Sequence, residues 1–175
     1  MKKKTLFLII LSFPITLTLY VFLFADNIKF EEEIVINANI DSIAMILNNP
    51  AQINNYMPGV EKYSLKKGEL GKKGAVAEIK INSEGSDIIL KETIIYNNLP
   101  NEIKISYEAD GVYNVVKYRL EVLNNNKVRI NYIQEFKFNG YMKFVSFFME
   151  SVLRSQSRVY LDNFKNYIEK GTQLD

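Results

Sequence analysis

At 175 residues the chain is the size of one domain with a sizeable core, and its 47% hydrophobic and 13% aromatic content is that of a folded protein. The formal charge of +2 rests on Lys2, Lys3 and Lys4; from Asp26 onward 19 basic residues face 20 acidic ones, which argues against nucleic acid as a partner, because phosphate binding needs a concentrated basic face. The chain contains no cysteine and no histidine, so a disulfide framework, a thiolate nucleophile and an imidazole base or metal ligand are all excluded, and no cofactor is expected.

The first element is Thr5 to Phe24, a run of twenty residues without a charge, with Pro14 at its middle. At about 1.5 Å per residue such a run spans roughly 30 Å, the depth of a bilayer core, and a mid-span proline is tolerated there. Residues 1–26 therefore read as a transmembrane anchor. The three lysines favour the cytoplasmic side, which puts the rest of the chain on the periplasmic or extracellular side. A cleavable signal followed by secretion is the alternative. Against it, the run is longer than the usual ~7–15 residues, and Phe24 is bulky where a small residue is preferred.

From residue 28 the pattern changes to strands. Ile28–Ala38 alternates, with Phe30, Glu32, Ile34 and Ile36 on one face. Asn39 or Asp41 can cap a short helix through Leu47, and Asn49-Pro50 separates it from a second short helix that ends near Tyr56. Six further strands follow at 60–70, 75–82, 87–97, 102–109, 112–123 and 127–139, divided by turn chemistry such as Leu99-Pro100-Asn101 and Asp110-Gly111. Links this short require antiparallel neighbours. The last element runs from about Tyr141 to Lys170 without proline or glycine, the length of one long amphipathic helix. Its apolar stripe is Phe144, Val145, Phe148, Val152, Ser155 and Val159, with Glu150, Arg154 and Ser157 on the far side. The expectation is an α+β fold: a seven-stranded curved antiparallel sheet in the order β-α-α-β6-α, around the long helix, over residues 28–170, with 171–175 as a tail.

Alternation assigns inner faces to the strands, subject to a one-residue slip that would invert any of them. These are Ile88, Leu90, Glu92, Ile94 and Tyr96; Ile103, Ile105, Tyr107 and Ala109; Asn114, Val116, Tyr118, Leu120 and Val122; and Ile130, Tyr132, Gln134, Phe136 and Phe138.

Several local sequences resemble the SRPBCC superfamily of START-like, polyketide-cyclase/dehydrase-like and birch-pollen-allergen-like helix-grip proteins. They are Ile36-Asn37-Ala38-Asn39-Ile40-Asp41-Ser42-Ile43 at the strand-to-helix entry, Leu47-Asn48-Asn49-Pro50, Asn55-Tyr56-Met57-Pro58-Gly59-Val60, and Asn97-Asn98-Leu99-Pro100-Asn101, followed by the closing helix. The resemblance covers about residues 28–170. It implies a cavity between sheet and helix of the kind used for lipids, sterols, polyketides, quinones or hormones. It supplies no shared catalytic motif, so no residue roles come with it.

The polar residues on the inner face are then the candidate ligand contacts: Glu92, Asn114, Tyr118, Tyr132 and Gln134 from the sheet, with Ser151, Ser155, Gln156 and Val159 from the helix, where the apolar stripe weakens. Glu92 is the one weak catalytic candidate, since a buried carboxyl tends to stay protonated and could move a proton. Its bland reading is a rim partner such as Arg119 or Lys104. Tyr118 and Tyr132 can equally be core residues, and Asn114 and Gln134 can bond each other. Three functions remain open: a membrane-tethered module holding a hydrophobic small molecule or lipid, a polyketide cyclase/dehydratase-like enzyme using Glu92 and a tyrosine, or an interaction domain with a filled core.

Overall fold

The structure, a computed structural model, describes residues 27–83 and 85–171. The anchor or signal expected at 1–26 and the tail beyond Gly171 lie outside the described residues. Among the described residues, no helix is long and apolar enough to cross a membrane.

Strand β1 (Ile28–Ile36) leads into helix α1 (Ile40–Leu47) and a 3-10 turn (Pro50–Asn55). Of the two candidate caps, Asn39 does the work: its side chain accepts from Ser42 N at 2.8 Å, while Asp41 sits in the first turn, where a negative charge suits the helix dipole. Pro50 opens the 3-10 turn, a position that needs no N–H. Six strands follow: β2 (Val60–Lys67), β3 (Val76–Ser83), β4 (Ser86–Asn98), β5 (Glu102–Ala109), β6 (Val112–Asn124) and β7 (Lys127–Phe138). They form one antiparallel sheet in the order β1-β7-β6-β5-β4-β3-β2, so the six-strand meander lies in sequence order and β1 closes its far side against β7. Gly111 makes the β5–β6 turn with φ of +74°, and an added Cβ there would stand 2.9 Å from the Met142 side chain, so backbone and helix approach closely at this end of the sheet.

The inner faces of β5, β6 and β7 follow the alternation, with Ile103, Ile105, Val116, Tyr118, Leu120, Ile130 and Tyr132 all buried. Two positions differ. A bulge between Ile94 and Tyr96 moves Tyr96 opposite Lys104, an outward position, so Tyr96 joins Glu102 on the outer face instead of the inner one. Val122 is 54% exposed at the end of β6, where the pairing with β7 also shifts before the Asn124–Lys127 turn.

The closing element is not one helix. Helix α2 (Met142–Ser146) ends in a turn at 147–149, and α3 (Glu150–Gly171) begins after it. Neither proline nor glycine is responsible. Ser146 Oγ donates back to Lys143 O at 2.7 Å, and the next amides reach only three residues back, from Phe148 N to Val145 O and from Met149 N to Ser146 O. A side chain that competes for a helix carbonyl and a tightened 3-10 turn together end the α-helical ladder.

The break resets the helical phase. In α3 the buried positions are Ser157, Leu161, Phe164 and Ile168, with Leu153 half-buried one turn earlier. The first half of the stripe expected to face the sheet does not: Phe144, Phe148 and Val152 are exposed, as is Phe147, whereas Ser155 and Val159, also exposed, border the space over the sheet. Ser157, assigned to the far side, points inward.

The main core joins the lower half of α3 to the sheet, α1 and the 3-10 turn, with Phe164 ringed by Tyr56, Tyr118 and Tyr160. A smaller cluster of Phe30, Phe136 and Phe138, with Met142 and Leu153 against it, ties α2 and the start of α3 to β1 and β7. Arg154 lies over the Phe30 ring at 4.6 Å and, with Arg158, pairs with Glu32. The helix thus leans on β1 and leaves space over β4, β5 and β6.

Candidate functional site

That space is a cavity of about 630 Å³ between the sheet and the first half of α3. It falls within the usual size of small-molecule pockets, and it means that side chains do not close the volume between sheet and helix, which removes the filled-core reading. Its walls come from the inner-face alternation: Leu90, Val116 and Phe136 from the sheet, Ile53 and Met57 from the 3-10 turn, and Leu153 and Tyr160 from the helix. Among the described residues, no Asp, Glu, Lys or Arg lines it. A second hollow of about 510 Å³ lies at the other end of the sheet among Asp41, Met45, Asn48, Lys72, Lys73 and Pro100; it is a surface cleft.

Asn114, Tyr118, Tyr132 and Gln134 line the cavity, as do Ser155, Gln156 and Val159 of α3. Ser151 does not: it is exposed in the first turn of α3, outside the lining. Ser155 and Gln156 are also exposed and therefore stand at the mouth. The residue missed on the helix is Ser157, which belongs inside. Tyr107, Tyr160 and Leu153 also line the cavity. Tyr107 carried the signal, since it alternates with Ile105 and Ala109. Ser157 carries a misleading one, because a single helical period does not run through the break at 147–149.

Two hydrogen-bonded groups mark the otherwise apolar wall. Asn114 Nδ2 donates to Gln134 Oε1 at 2.9 Å, Gln134 Nε2 donates to Ser157 Oγ, and Ser157 Oγ donates to the Leu153 carbonyl at 2.7 Å. The hydroxyls of Tyr118 and Tyr160 meet at 2.6 Å, joining sheet to helix across the cavity.

Glu92 lies on the inner face and is buried, but it is not part of the lining. Neither Arg119 nor Lys104 is its partner: Arg119 pairs with Glu102 on the outer face. Instead Tyr63 Oη donates to Glu92 Oε1 at 2.9 Å, and among the described residues Oε2 is buried with no hydrogen bond. Burial raises the Glu92 pKa above the ordinary carboxyl value, and the hydroxyls of Tyr63 and Tyr107 only partly offset it. Burial, and then the charge of Glu92, push the phenols of Tyr56, Tyr63 and Tyr107 upward as well. At neutral pH these phenols stay protonated, so they can donate hydrogen bonds but cannot serve as resting bases.

No family model matches the sequence, and no curated protein matches it. Solved structures do. The Zhui aromatase/cyclase from Streptomyces sp. R1128 superposes with a TM-score of 0.70 at 14% identity, covering 83% of this chain and 95% of that one. Norcoclaurine synthase from Thalictrum flavum, as a point mutant, gives 0.65 at 16% identity, covering 84% and 97%. Major latex-like protein 151 from Panax ginseng gives 0.55 at 14% identity, covering 75% and 97%. This chain shares its fold with all three, a helix-grip architecture of a curved antiparallel sheet against a C-terminal helix.

Proposed function

We propose that the protein is a membrane-tethered binding module that holds a hydrophobic small molecule or lipid between the sheet and α3. The observation that carries this reading is the cavity of about 630 Å³, uncharged and mostly apolar, with a few polar groups at fixed positions. The similar structures include an aromatase/cyclase and a norcoclaurine synthase in complex with a transition-state analogue, which supports an organic ligand in the same space.

Pyrene, an apolar fluorescent probe, tests the cavity directly. The full chain is expected to bind it saturably at one per chain. Val159 is exposed at the mouth, so Val159→Trp can block entry without disturbing the core, and is expected to weaken binding at least about ten-fold. Phe148→Ser, on the exposed aromatic surface outside the lining, should leave binding unchanged. Loss of binding with Phe148→Ser and not with Val159→Trp would place the probe on the surface and sink the proposal.

The tether is supported by the uncharged run Thr5–Phe24 behind three lysines. It is also supported by the exposure of Tyr141, Phe144, Phe147 and Phe148 at the corner where Ile28 and Met142 pack on one cluster. Aromatic side chains there suit the membrane interface. Extraction of membranes with alkaline carbonate should leave the full chain in the pellet; release into the supernatant would remove the tether and leave the cavity reading standing.

A second reading has one observation in its favour. Tyr107 lines the cavity and sits opposite Glu92 in the β4–β5 ladder, so a carboxyl with a raised pKa stands behind a phenol that faces the ligand. A cyclase/dehydratase-like enzyme could route a proton through that pair. Recovery of a bound polyketide-like probe chemically unchanged after prolonged incubation counts against it.

A further inference from the structure

We infer that the cavity selects a neutral, largely hydrocarbon ligand carrying an alcohol or phenol, whose O–H donates to Asn114, and rejects the carbonyl or carboxylate counterpart of the same skeleton. This rests on the cavity reading above and goes further, because the polar path on the wall has a direction.

The direction starts on the helix. A main-chain carbonyl only accepts, and Ser157 Oγ lies 2.7 Å from Leu153 O, so the serine commits its single proton there. Its remaining capacity is as an acceptor, and Gln134 presents Nε2 to it. An amide with its nitrogen turned towards Ser157 has its oxygen turned away, and that oxygen accepts from Asn114 Nδ2 at 2.9 Å. One N–H of Asn114 is thereby held by Gln134, and the acceptor left at the end of the path is the Asn114 carbonyl oxygen. Reversing the path would require Ser157 to give up its bond to Leu153. Asn114 itself is buried and lines the cavity, so a ligand that covers its oxygen without donating to it leaves an unpaired acceptor out of reach of water.

The same geometry discriminates in two further ways. A carbonyl offered to Asn114 can pair only with its second N–H and leaves the Asn114 oxygen without a donor. A carboxylate does so with a full charge, in a lining that among the described residues contains no lysine or arginine to neutralise it. The other polar point, the Tyr118–Tyr160 pair, lies four residues further along β6, about 13 Å away at ~3.3 Å per residue, so a ligand with one polar head meets one point or the other. Ser157 is a positioning residue here: it touches Gln134, not the head group.

Four probes of one skeleton test the inference on the full chain by titration of probe fluorescence: pyrene, 1-pyrenemethanol, 1-pyrenecarboxaldehyde and 1-pyrenecarboxylate. The alcohol is expected to bind roughly ten-fold more tightly than the aldehyde, with the carboxylate weakest. Ser157→Ala removes the group that fixes the path, frees Gln134 to rotate, and should bring the alcohol-to-aldehyde ratio close to one; a purely structural role for Ser157 would shift both affinities together and keep the ratio. An aldehyde that binds as well as the alcohol, or a ratio that survives Ser157→Ala, overturns the inference while leaving the cavity reading intact, provided pyrene binds. Failure of all four probes, pyrene included, overturns both.

Discussion

Phe164→Ala lowers the stability of the domain by about 3–5 kcal/mol, the range for removing a fully buried phenylalanine. Phe164 has no exposed surface, and its ring stands 5.0 Å from Tyr56, 6.1 Å from Tyr160 and 6.4 Å from Tyr118, centroid to centroid. Those three rings come from the end of the 3-10 turn, from the helix and from β6, so one side chain joins three elements. The rings cannot collapse into the gap without moving α3. Urea unfolding followed by far-UV circular dichroism measures the loss. A shift under about 1 kcal/mol would mean that the cavity side relaxes into the space, and that the helix is held by the Phe30–Phe136 cluster instead.

Glu92→Gln should stabilise the protein increasingly as pH rises above the ordinary carboxyl pKa. The sign follows from the raised carboxyl pKa, whose main cause is burial. A group whose pKa is higher folded than unfolded favours the folded state most below its unfolded pKa, and that contribution is lost as pH climbs through the folded value. Wild type is therefore expected to lose stability as pH rises through that window, whereas the variant has no carboxyl to ionise at this site. The amide can keep the bond from Tyr63 through its own oxygen, so the substitution removes the charge with little change in shape. Urea midpoints of both proteins across that range measure the difference. A difference that is flat or shrinks with rising pH would show that Glu92 is solvated in solution.

The strands were legible because alternation is a two-residue signal that survives any tertiary context, and the inner face it assigned delivered Asn114, Tyr118, Tyr132 and Gln134 to the cavity wall. Where the period is interrupted, the signal carries no warning. The bulge after Ile94 turned Tyr96 outward, and the turn at 147–149 put Ser157 inside and Ser151 outside. Neither interruption is built by proline or glycine, so composition does not announce them. The partner of Glu92 was hidden for another reason. Tyr63 is opposite Ile79 on β3, which is opposite Leu90 on β4, so the contact crosses a strand that lies between. Charge pairing suggested Arg119 or Lys104, but both belong to the other face of the sheet. The exposed Phe144 and Phe148 gave the opposite error, since a hydrophobic period cannot say whether an apolar surface meets the core of its own chain or something else.

The pairing of β1 with β7 bears on how the molecule assembles. Every other strand pair joins neighbours in the chain, whereas Ile36 and Val128 are roughly 90 positions apart, so their meeting carries the largest loop-closure entropy in the sheet. The meander from β2 to β7 can zip up from its hairpins, and β1 then docks late. Because α3 leans on β1, the roof over β4, β5 and β6 is placed only when that docking is complete. Until then β7 presents an unpaired edge with Ile130 and Tyr132 beside it, the surface most open to joining a strand from another molecule. The binding space and the protection of that edge arrive in the same late step.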